Sequence, residues 1–142
     1  MGKKVLIIDD EYTIRELVAL SLEPDYEVMK AEDGAKGLEL VKKQKPDLII
    51  LDIMMPVVDG YEVSRRLKAN KETAKIPIIM LTAKHQIEDL KKAIAADTDE
   101  FITKPFEPDL IKKRVDEYFS NGKKKQGRKF FRFGKSIHYI KS

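Results

Sequence analysis

The sequence predicts a doubly wound α/β fold, in which helices cover both faces of a parallel five-stranded sheet. Short apolar runs recur along the chain, segments with helical spacing of apolar residues separate them, and prolines fall where elements begin or end. Three of the runs are apolar almost throughout, as is typical of strands covered on both faces. Strands that alternate with helices in this way are joined by right-handed crossovers, which gives a (βα)5 unit.

Each element is predicted from its own pattern. The predicted strands are residues 5–8, 26–29, 48–51, 78–81 and 100–103. The predicted helices contain the apolar stripes of residues 14–22, 38–42, 61–67, 90–95 and 110–119. Five such units favour the flavodoxin-like strand order 2-1-3-4-5, which reverses between strands 1 and 3. Ligands bind outside the carboxyl ends of the strands at such a reversal, so we expect the site just after Ile8 and Leu51.

Composition indicates one domain and excludes several kinds of site. The 142 residues are 42% hydrophobic and 37% charged, enough for one core. The sequence has no cysteine and two histidines, so neither a disulfide framework nor a zinc site is expected. No apolar run approaches the roughly 20 residues that cross a bilayer. A cytoplasmic protein is therefore the default expectation.

The net charge of +4 averages two unlike parts of the chain. Residues 121–142 contain eight basic residues and no acidic one, which leaves 20 basic and 24 acidic residues in residues 1–120. This asymmetry predicts a mildly acidic domain over residues 1–120 and a basic, aromatic-containing tail over residues 121–142.

Carboxylates occupy both places where the site is expected. Asp9, Asp10 and Glu11 follow the first strand, and Asp52 follows the third. We expect Glu11 to begin the first helix and to point away from the others. Converging carboxylates repel one another and their pKa values rise unless a cation joins them. An all-oxygen ligand set of this kind suits Mg²⁺, which keeps several waters and accepts an added phosphate oxygen.

Two further side chains are predicted at the same edge of the sheet. Thr82 ends the fourth strand and supplies a hydroxyl, and Lys104 ends the fifth and supplies an ammonium. A carboxylate nucleophile, a metal, a hydroxyl and a lysine are the groups that transfer of a phosphoryl group to an aspartate requires.

These motifs together resemble the receiver domain of two-component response regulators. The matching motifs are Asp9-Asp10-Glu11, Leu51-Asp52-Ile53-Met54-Met55-Pro56 with Asp59-Gly60, Leu81-Thr82-Ala83, and Phe101-Ile102-Thr103-Lys104-Pro105-Phe106. Each motif alone is weak, but their order and spacing at strand ends are specific. The resemblance covers about residues 3–119.

The resemblance implies roles for the acidic residues. Asp52 is implied as the phosphorylation site, with Mg²⁺ as cofactor. Asp10 is similar to the family's direct metal ligand, and Asp9 binds the metal directly or through water. Asp52 itself and the backbone carbonyl of Met54 complete the implied ligand set.

The resemblance also implies the switch and the partners. Thr82 and Phe101 match the hydroxyl and the aromatic that change position together, and Lys104 matches the phosphate-binding lysine. Lys104-Pro105 resembles the family's cis peptide. A histidine kinase or phosphotransfer protein would donate the phosphoryl group. The fourth helix, fifth strand and fifth helix would form the signalling surface for a downstream target or a dimer.

One departure and two alternatives accompany this interpretation. The family's Gly-Ala-Asp before strand 5 is replaced by Asp97-Thr98-Asp99, where slight backbone strain is expected. A haloacid-dehalogenase-type phosphatase would use Asp9 as nucleophile, but Glu11 stands where its second aspartate belongs and Asp52 would have no role. A flavin or nucleotide binder would need a glycine-rich phosphate loop instead of acidic residues after strand 1.

The tail matches no family pattern. Two β-prone runs flank Gly134-Lys135, which predicts a hairpin, while a disordered basic extension is the plainer alternative. Basic residues interleaved with aromatics also fit DNA or other nucleic acid, an anionic membrane, or an acidic protein surface. A third alternative is that the tail docks on the acidic domain of its own chain or on a second copy. Our hypothesis is that the tail is a binding appendage that is more accessible in one phosphorylation state than in the other.

Overall fold

A computed structural model describes residues 2–83, 99–120, 128–133 and 136–141. The elements in chain order are β1 (Lys4–Ile8), α1 (Tyr12–Leu22), β2 (Glu27–Ala31), α2 (Gly34–Gln44), β3 (Leu48–Asp52), α3 (Gly60–Ala69), β4 (Ile78–Ala83), β5 (Glu100–Lys104), α4 (Pro108–Ser120), β6 (Arg128–Phe133) and β7 (Ser136–Lys141). The predicted helix over residues 90–95 lies outside the described residues, as do Asp97 and Thr98. Our α4 is therefore the fifth helix that the sequence predicts.

The sheet has the predicted core and two additional strands. β1 to β5 are parallel and lie in the order 2-1-3-4-5, which confirms the flavodoxin-like prediction. β6 pairs with β5 in parallel, and β7 pairs with β6 in antiparallel, so the sheet has seven strands. The sequence predicted a sheet of five strands, and the extra two come from the tail.

Alternate residues of the central strands fill two cores, one on each face of the sheet. On one face, Leu6, Ile49, Met80 and Phe101 pack with residues of α2 and α3. On the other face, Ile7, Ile50, Leu81 and Ile102 pack with residues of α1 and α4. Continuous apolar runs are required because both faces of these strands are buried. In the part of the chain that the structure describes, no helix could cross a membrane.

Helix starts show how the sequence places the loops above the sheet. Asp33 caps α2 by accepting a hydrogen bond from the Lys36 amide at 2.7 Å. Asp59 caps α3 in the same way, accepting from the Glu62 amide at 2.9 Å. Each carboxylate satisfies an amide that the first helical turn leaves without a partner. These caps fix the residues at which α2 and α3 begin.

Candidate functional site

The carboxyl ends of β1 and β3 bring three carboxylates together. Asp9, Asp10 and Asp52 each offer an oxygen, and these oxygens lie within 4.8 Å of one another. Asp9 is 0% exposed and Asp52 is 3% exposed, whereas Asp10 faces solvent. The structure therefore places these predicted site residues together at the carboxyl edge of the sheet, between β1 and β3, where the strand order reverses.

The backbone around Asp9 holds its carboxylate in one orientation. The Asp9 amide donates to the Ala31 carbonyl at 3.1 Å, and the Arg15 guanidinium donates to the Asp9 carbonyl at 2.7 Å. Its Oδ1 accepts a hydrogen bond from the Glu11 amide at 2.9 Å. Oδ2 is directed toward Lys104, 3.3 Å away. The local hydrogen bonds thus leave one oxygen of Asp9 for the centre of the site.

A close approach of α3 fixes the position of Asp52. The Ile53 amide donates to the Leu81 carbonyl at 3.0 Å, and the Gly60 amide donates to the Ile53 carbonyl at 2.8 Å. A Cβ on Gly60 would lie 2.4 Å from the Asp52 carbonyl oxygen, so only glycine fits there. Because position 60 is glycine, the start of α3 can pack directly against the backbone at the end of β3.

Lys104 connects the carboxylates from the end of β5. Its Nζ lies 3.1 Å from Asp52 Oδ1 and 3.3 Å from Asp9 Oδ2, and the peptide bond to Pro105 is cis. It also lies 3.5 Å from Glu11 Oε1. As expected, Glu11 stands at the start of α1 as its N-cap and lies outside the group of three carboxylates, although its exposed side chain reaches Lys104.

The electrostatics of the site are dominated by burial. Burial, with the neighbouring Asp9 carboxylate, raises the pKa of Asp52 to about 7 despite the opposing effect of Lys104. Burial also raises the pKa of Asp9, against hydrogen bonds from the Glu11 amide and Lys104. Burial alone would lower the pKa of Lys104, but Asp52 and Asp9 raise it above its usual range. The site therefore has more negative charge than the lysine can balance.

The donor set fits a hard divalent cation. Oxygens of Asp9, Asp10 and Asp52 lie close enough to be bound by one ion. The raised pKa values of Asp9 and Asp52 show that added positive charge would be favourable there. Carboxylates with an open, solvent-facing side are the arrangement that Mg²⁺ accepts, because it retains waters. The Met54 side chain is 62% exposed, so it takes no part in the core.

The predicted switch residues Thr82 and Phe101 lie on β4 and β5, which are neighbours in the sheet. Thr82 follows Leu81, the residue of β4 that pairs with Asp52, and its buried hydroxyl donates to the Ala83 carbonyl at 3.1 Å. Phe101 is 1% exposed and packs in the core on the α2 and α3 face. Both residues are therefore buried, and the strand register brings Thr82 next to Asp52.

Sequence reasoning missed a second group of buried charges at the other end of β5. Asp99 accepts a hydrogen bond from the Ile78 amide at 2.6 Å and lies 3.5 Å from Lys68 Nζ. Glu100 is fully buried, and Arg114 Nε lies 2.9 Å from both of its carboxylate oxygens. Two acidic residues that begin an apolar run were the signal that could have found this cluster.

Comparison with known proteins gives a family. Residues 5–116 match the response regulator receiver domain. The chain is 44% identical over 113 residues to the DNA-binding dual master transcriptional regulator RpaA of Synechocystis, covering 79% of this chain and 47% of RpaA. It is 45% identical over 109 residues to the phosphate regulon transcriptional regulatory protein PhoB of Pseudomonas aeruginosa, covering 76% and 48%. The chain thus spans about half the length of these relatives.

Solved structures give the same family. The chemotaxis protein CheY4 of Vibrio cholerae matches with a TM-score of 0.76 and 32% identity, covering 82% of this chain and 98% of that one. The signal receiver domain of a histidine kinase from Syntrophus aciditrophicus matches with a TM-score of 0.79 and 31% identity, covering 89% and 96%. None of these matches supports the phosphatase alternative. Sequence, fold and site agree that the chain belongs to the response regulator receiver domain family, the phosphoacceptor switch of two-component signalling.

Proposed function

We propose that Asp52 accepts a phosphoryl group from a histidine kinase or phosphotransfer protein in a Mg²⁺-dependent reaction. The observation that carries the proposal is the buried Asp52 carboxylate, placed beside Asp9 and 3.1 Å from the Lys104 ammonium. Asp9 and Asp10, with Asp52 and the Met54 carbonyl, would hold the metal ion. Bound there, Mg²⁺ neutralises negative charge on the carboxylates and on the phosphoryl oxygens.

The chain's own residues account for the transfer. An Asp52 oxygen uses an electron pair to form the new O–P bond, while the P–N bond of the phosphohistidine breaks and its pair stays on the imidazole nitrogen. Only ionised Asp52 can do this, so its pKa of about 7 must fall. Lys104 would bind a phosphoryl oxygen, which would draw its ammonium away from Asp9.

The switch would follow from the same contacts. The Thr82 hydroxyl now donates to the Ala83 carbonyl, and a phosphoryl oxygen on Asp52 offers it a charged acceptor instead. A movement of Thr82 leaves room that Phe101 can fill, which would alter the surface of β5 and α4. The switch on this chain would thereby consist of Thr82, Phe101 and Lys104. The protein would act as a phosphoacceptor and not as an enzyme that converts other substrates.

Downstream partners would bind the predicted signalling surface, of which the structure describes α4 and β5, the latter paired with β6 along its edge. Binding could involve a target protein or a second copy of the chain. RpaA and PhoB are transcriptional regulators by name, and this chain matches only about half of each.

Phosphorylation with acetyl phosphate tests the assignment. We expect Mg²⁺-dependent modification of the wild type and none in Asp52→Ala, read by intact-mass spectrometry and phosphopeptide mapping. Asp109→Ala, an exposed acid in the first turn of α4, is the control and should behave as wild type. Modification of Asp9, or full modification in EDTA, would contradict the proposal.

The metal ligands are tested separately. Asp10→Ala should weaken Mg²⁺ binding by about tenfold or more, because it removes a direct ligand. Glu11→Ala should have a smaller effect, since the Glu11 side chain contacts Lys104 and not the three-carboxylate group. Equal losses in the two variants would show that the ligand assignment is wrong.

A further inference from the structure

The β6–β7 hairpin extends the sheet beyond β5. Glu100, Phe101 and Ile102 of β5 pair with Phe130, Phe131 and Arg132 of β6. Paired residues of neighbouring strands lie on the same face of a sheet. Because Ile102 belongs to the core beneath α1 and α4, its partner Arg132 belongs to that face too. The register therefore assigns each residue of β6 and β7 to a face.

The two faces of the hairpin differ in composition. The face shared with α1 and α4 carries three basic residues, two aromatics and one isoleucine, namely Arg128, Lys141, Arg132, Phe130, Tyr139 and Ile137. The opposite face carries one lysine, two phenylalanines, and an isoleucine, a histidine and a serine, namely Lys129, Phe131, Phe133, Ile140, His138 and Ser136. The first face concentrates cations around aromatics, and we call it the basic aromatic face.

The aromatics of the basic aromatic face occupy paired positions. Phe130 and Tyr139 are register partners on the two antiparallel strands. The pair Arg128 and Lys141 lies two residues away on the same face. An aromatic pair flanked by cations is the arrangement on which the bases of a single strand stack while its phosphates are neutralised.

The neighbouring strand does not oppose an anionic ligand. Glu100 pairs with Phe130 in register and so shares this face. It is fully buried, and Arg114 lies 2.9 Å from both of its carboxylate oxygens. The acidic residue nearest the hairpin in the register is therefore neutralised within the chain.

We propose that the basic aromatic face of the β6–β7 hairpin binds single-stranded nucleic acid. Phe130 and Tyr139 stack on successive bases, and Arg128, Arg132 and Lys141 contact the backbone phosphates. Charge complementarity carries the choice of ligand, because the tail has eight basic residues and no acidic one. A lipid surface would favour a wholly apolar face with cations at its borders, whereas here cations and aromatics share one face.

Two pairs of adjacent residues on opposite faces give a matched test. Full-length protein is titrated with labelled oligothymidylate and oligouridylate at about 50 and 200 mM salt, and fluorescence anisotropy is measured. Arg128→Ala and Lys129→Ala each remove one cation. Arg128→Ala should weaken binding several-fold and reduce the salt slope by about 0.7, whereas Lys129→Ala should have little effect.

The aromatic pair is tested in the same titration. Tyr139→Ala should weaken binding about tenfold, Tyr139→Phe should keep affinity within about twofold, and Ile140→Ala should remain near wild type. Amide chemical shifts of β5 report whether each variant keeps the hairpin. The contrast of alanine with phenylalanine at position 139 holds even if Ile140→Ala loses the hairpin.

Three outcomes would overturn the proposal. One is no binding of either oligonucleotide by the full-length protein. A second is equal losses in Arg128→Ala and Lys129→Ala with no effect of Tyr139→Ala, which would indicate undirected charge attraction. The third is retention only by vesicles containing phosphatidylserine, which would assign the tail to a membrane surface instead.

Discussion

The two ends of β5 both border on buried carboxylates, but their charges are arranged differently. At the carboxyl end, Asp9, Asp52 and Glu11 share the Lys104 ammonium at 3.1 to 3.5 Å. At the amino end, Glu100 has a guanidinium within 2.9 Å of both oxygens. Asp9, Asp52 and Glu100 are all nearly completely buried. The difference is therefore one of charge balance and not of depth.

This difference separates a site built for chemistry from one built for structure. A buried acid that is matched by its own base and hydrogen bonds holds two elements together, here β5 and α4. Buried acids that outnumber their cation keep raised pKa values, as Asp52 and Asp9 do. Added positive charge would relieve such an excess, so the arrangement favours the binding of a cation.

Removing the matched base should have the largest effect on stability. Arg114→Ala leaves the buried Glu100 carboxylate without its guanidinium and should lower the free energy of unfolding by about 3–5 kcal/mol. Lys112→Ala breaks ion pairs of a more exposed lysine on the same helix and should cost about 1 kcal/mol or less. Urea unfolding of the full-length chain measures both. Similar costs would show that the Glu100 pair is not a structural one.

Removing the charge of Asp52, which no cation fully balances, should instead raise the free energy of unfolding. The pKa of Asp52 is about 7 in the fold and starts from 3.8, so the folded chain binds more protons between these values. Its contribution to stability is present below pH 4 and is lost as the pH rises through 7. Without metal at pH 8, Asp52→Asn should therefore be more stable than wild type by about 1–3 kcal/mol.

The pH dependence gives the control for that result. The advantage of Asp52→Asn should shrink as the pH is lowered toward 4, because wild-type Asp52 then becomes protonated. Asp109→Asn, which changes an exposed acid, should show no such trend. An advantage independent of pH would mean that packing, and not ionisation, separates the two chains.

Mg²⁺ should reduce the difference in unfolding free energy between Asp52→Asn and the wild type. A ligand that binds only the folded state at ten times its dissociation constant stabilises it by about 1.4 kcal/mol. Wild type should gain that amount at pH 8, whereas Asp52→Asn and Asp10→Ala should gain less. Thermal unfolding with Mg²⁺ or EDTA measures it. An equal gain in all three chains would place the ion elsewhere.

The sequence predicted the carboxyl end of the sheet well and the amino end of β5 poorly. Asp9, Asp52, Thr82 and Lys104 follow apolar runs, and a parallel sheet brings the ends of such runs to one edge. The pairing of Glu100 with Arg114 joins residues 14 positions apart across two elements, and no periodicity encodes it. Helix spacing and strand runs also could not show that β6 would pair with β5, because register between distant strands depends on tertiary packing.

Backbone strain near Asp52 should give the smallest effect. Val57 lies in the loop between β3 and α3, has a φ of 70°, and is fully exposed. The amide of the next residue, Val58, donates to the carbonyl of the preceding residue, Pro56, at 2.8 Å. Positive φ is costly for a β-branched residue, by about 1–3 kcal/mol, and packing does not compensate an exposed side chain. Val57→Gly removes this strain but adds freedom to the unfolded chain.

The net gain from Val57→Gly should be about 1 kcal/mol, with Val57→Ala in between, measured by urea unfolding without metal. Asp52 precedes this loop and the Asp59 cap follows it. The strain therefore lies at the carboxyl end of the sheet, where the carboxylates outnumber the Lys104 ammonium. Lys45, whose φ is 48, gives the comparison, because it ends α2 away from the site. Lys45→Gly should gain less, since an unbranched side chain tolerates that conformation better. A gain at Lys45 that equals the gain at Val57 would show that branching, and hence the loop beside Asp52, is not a special source of strain.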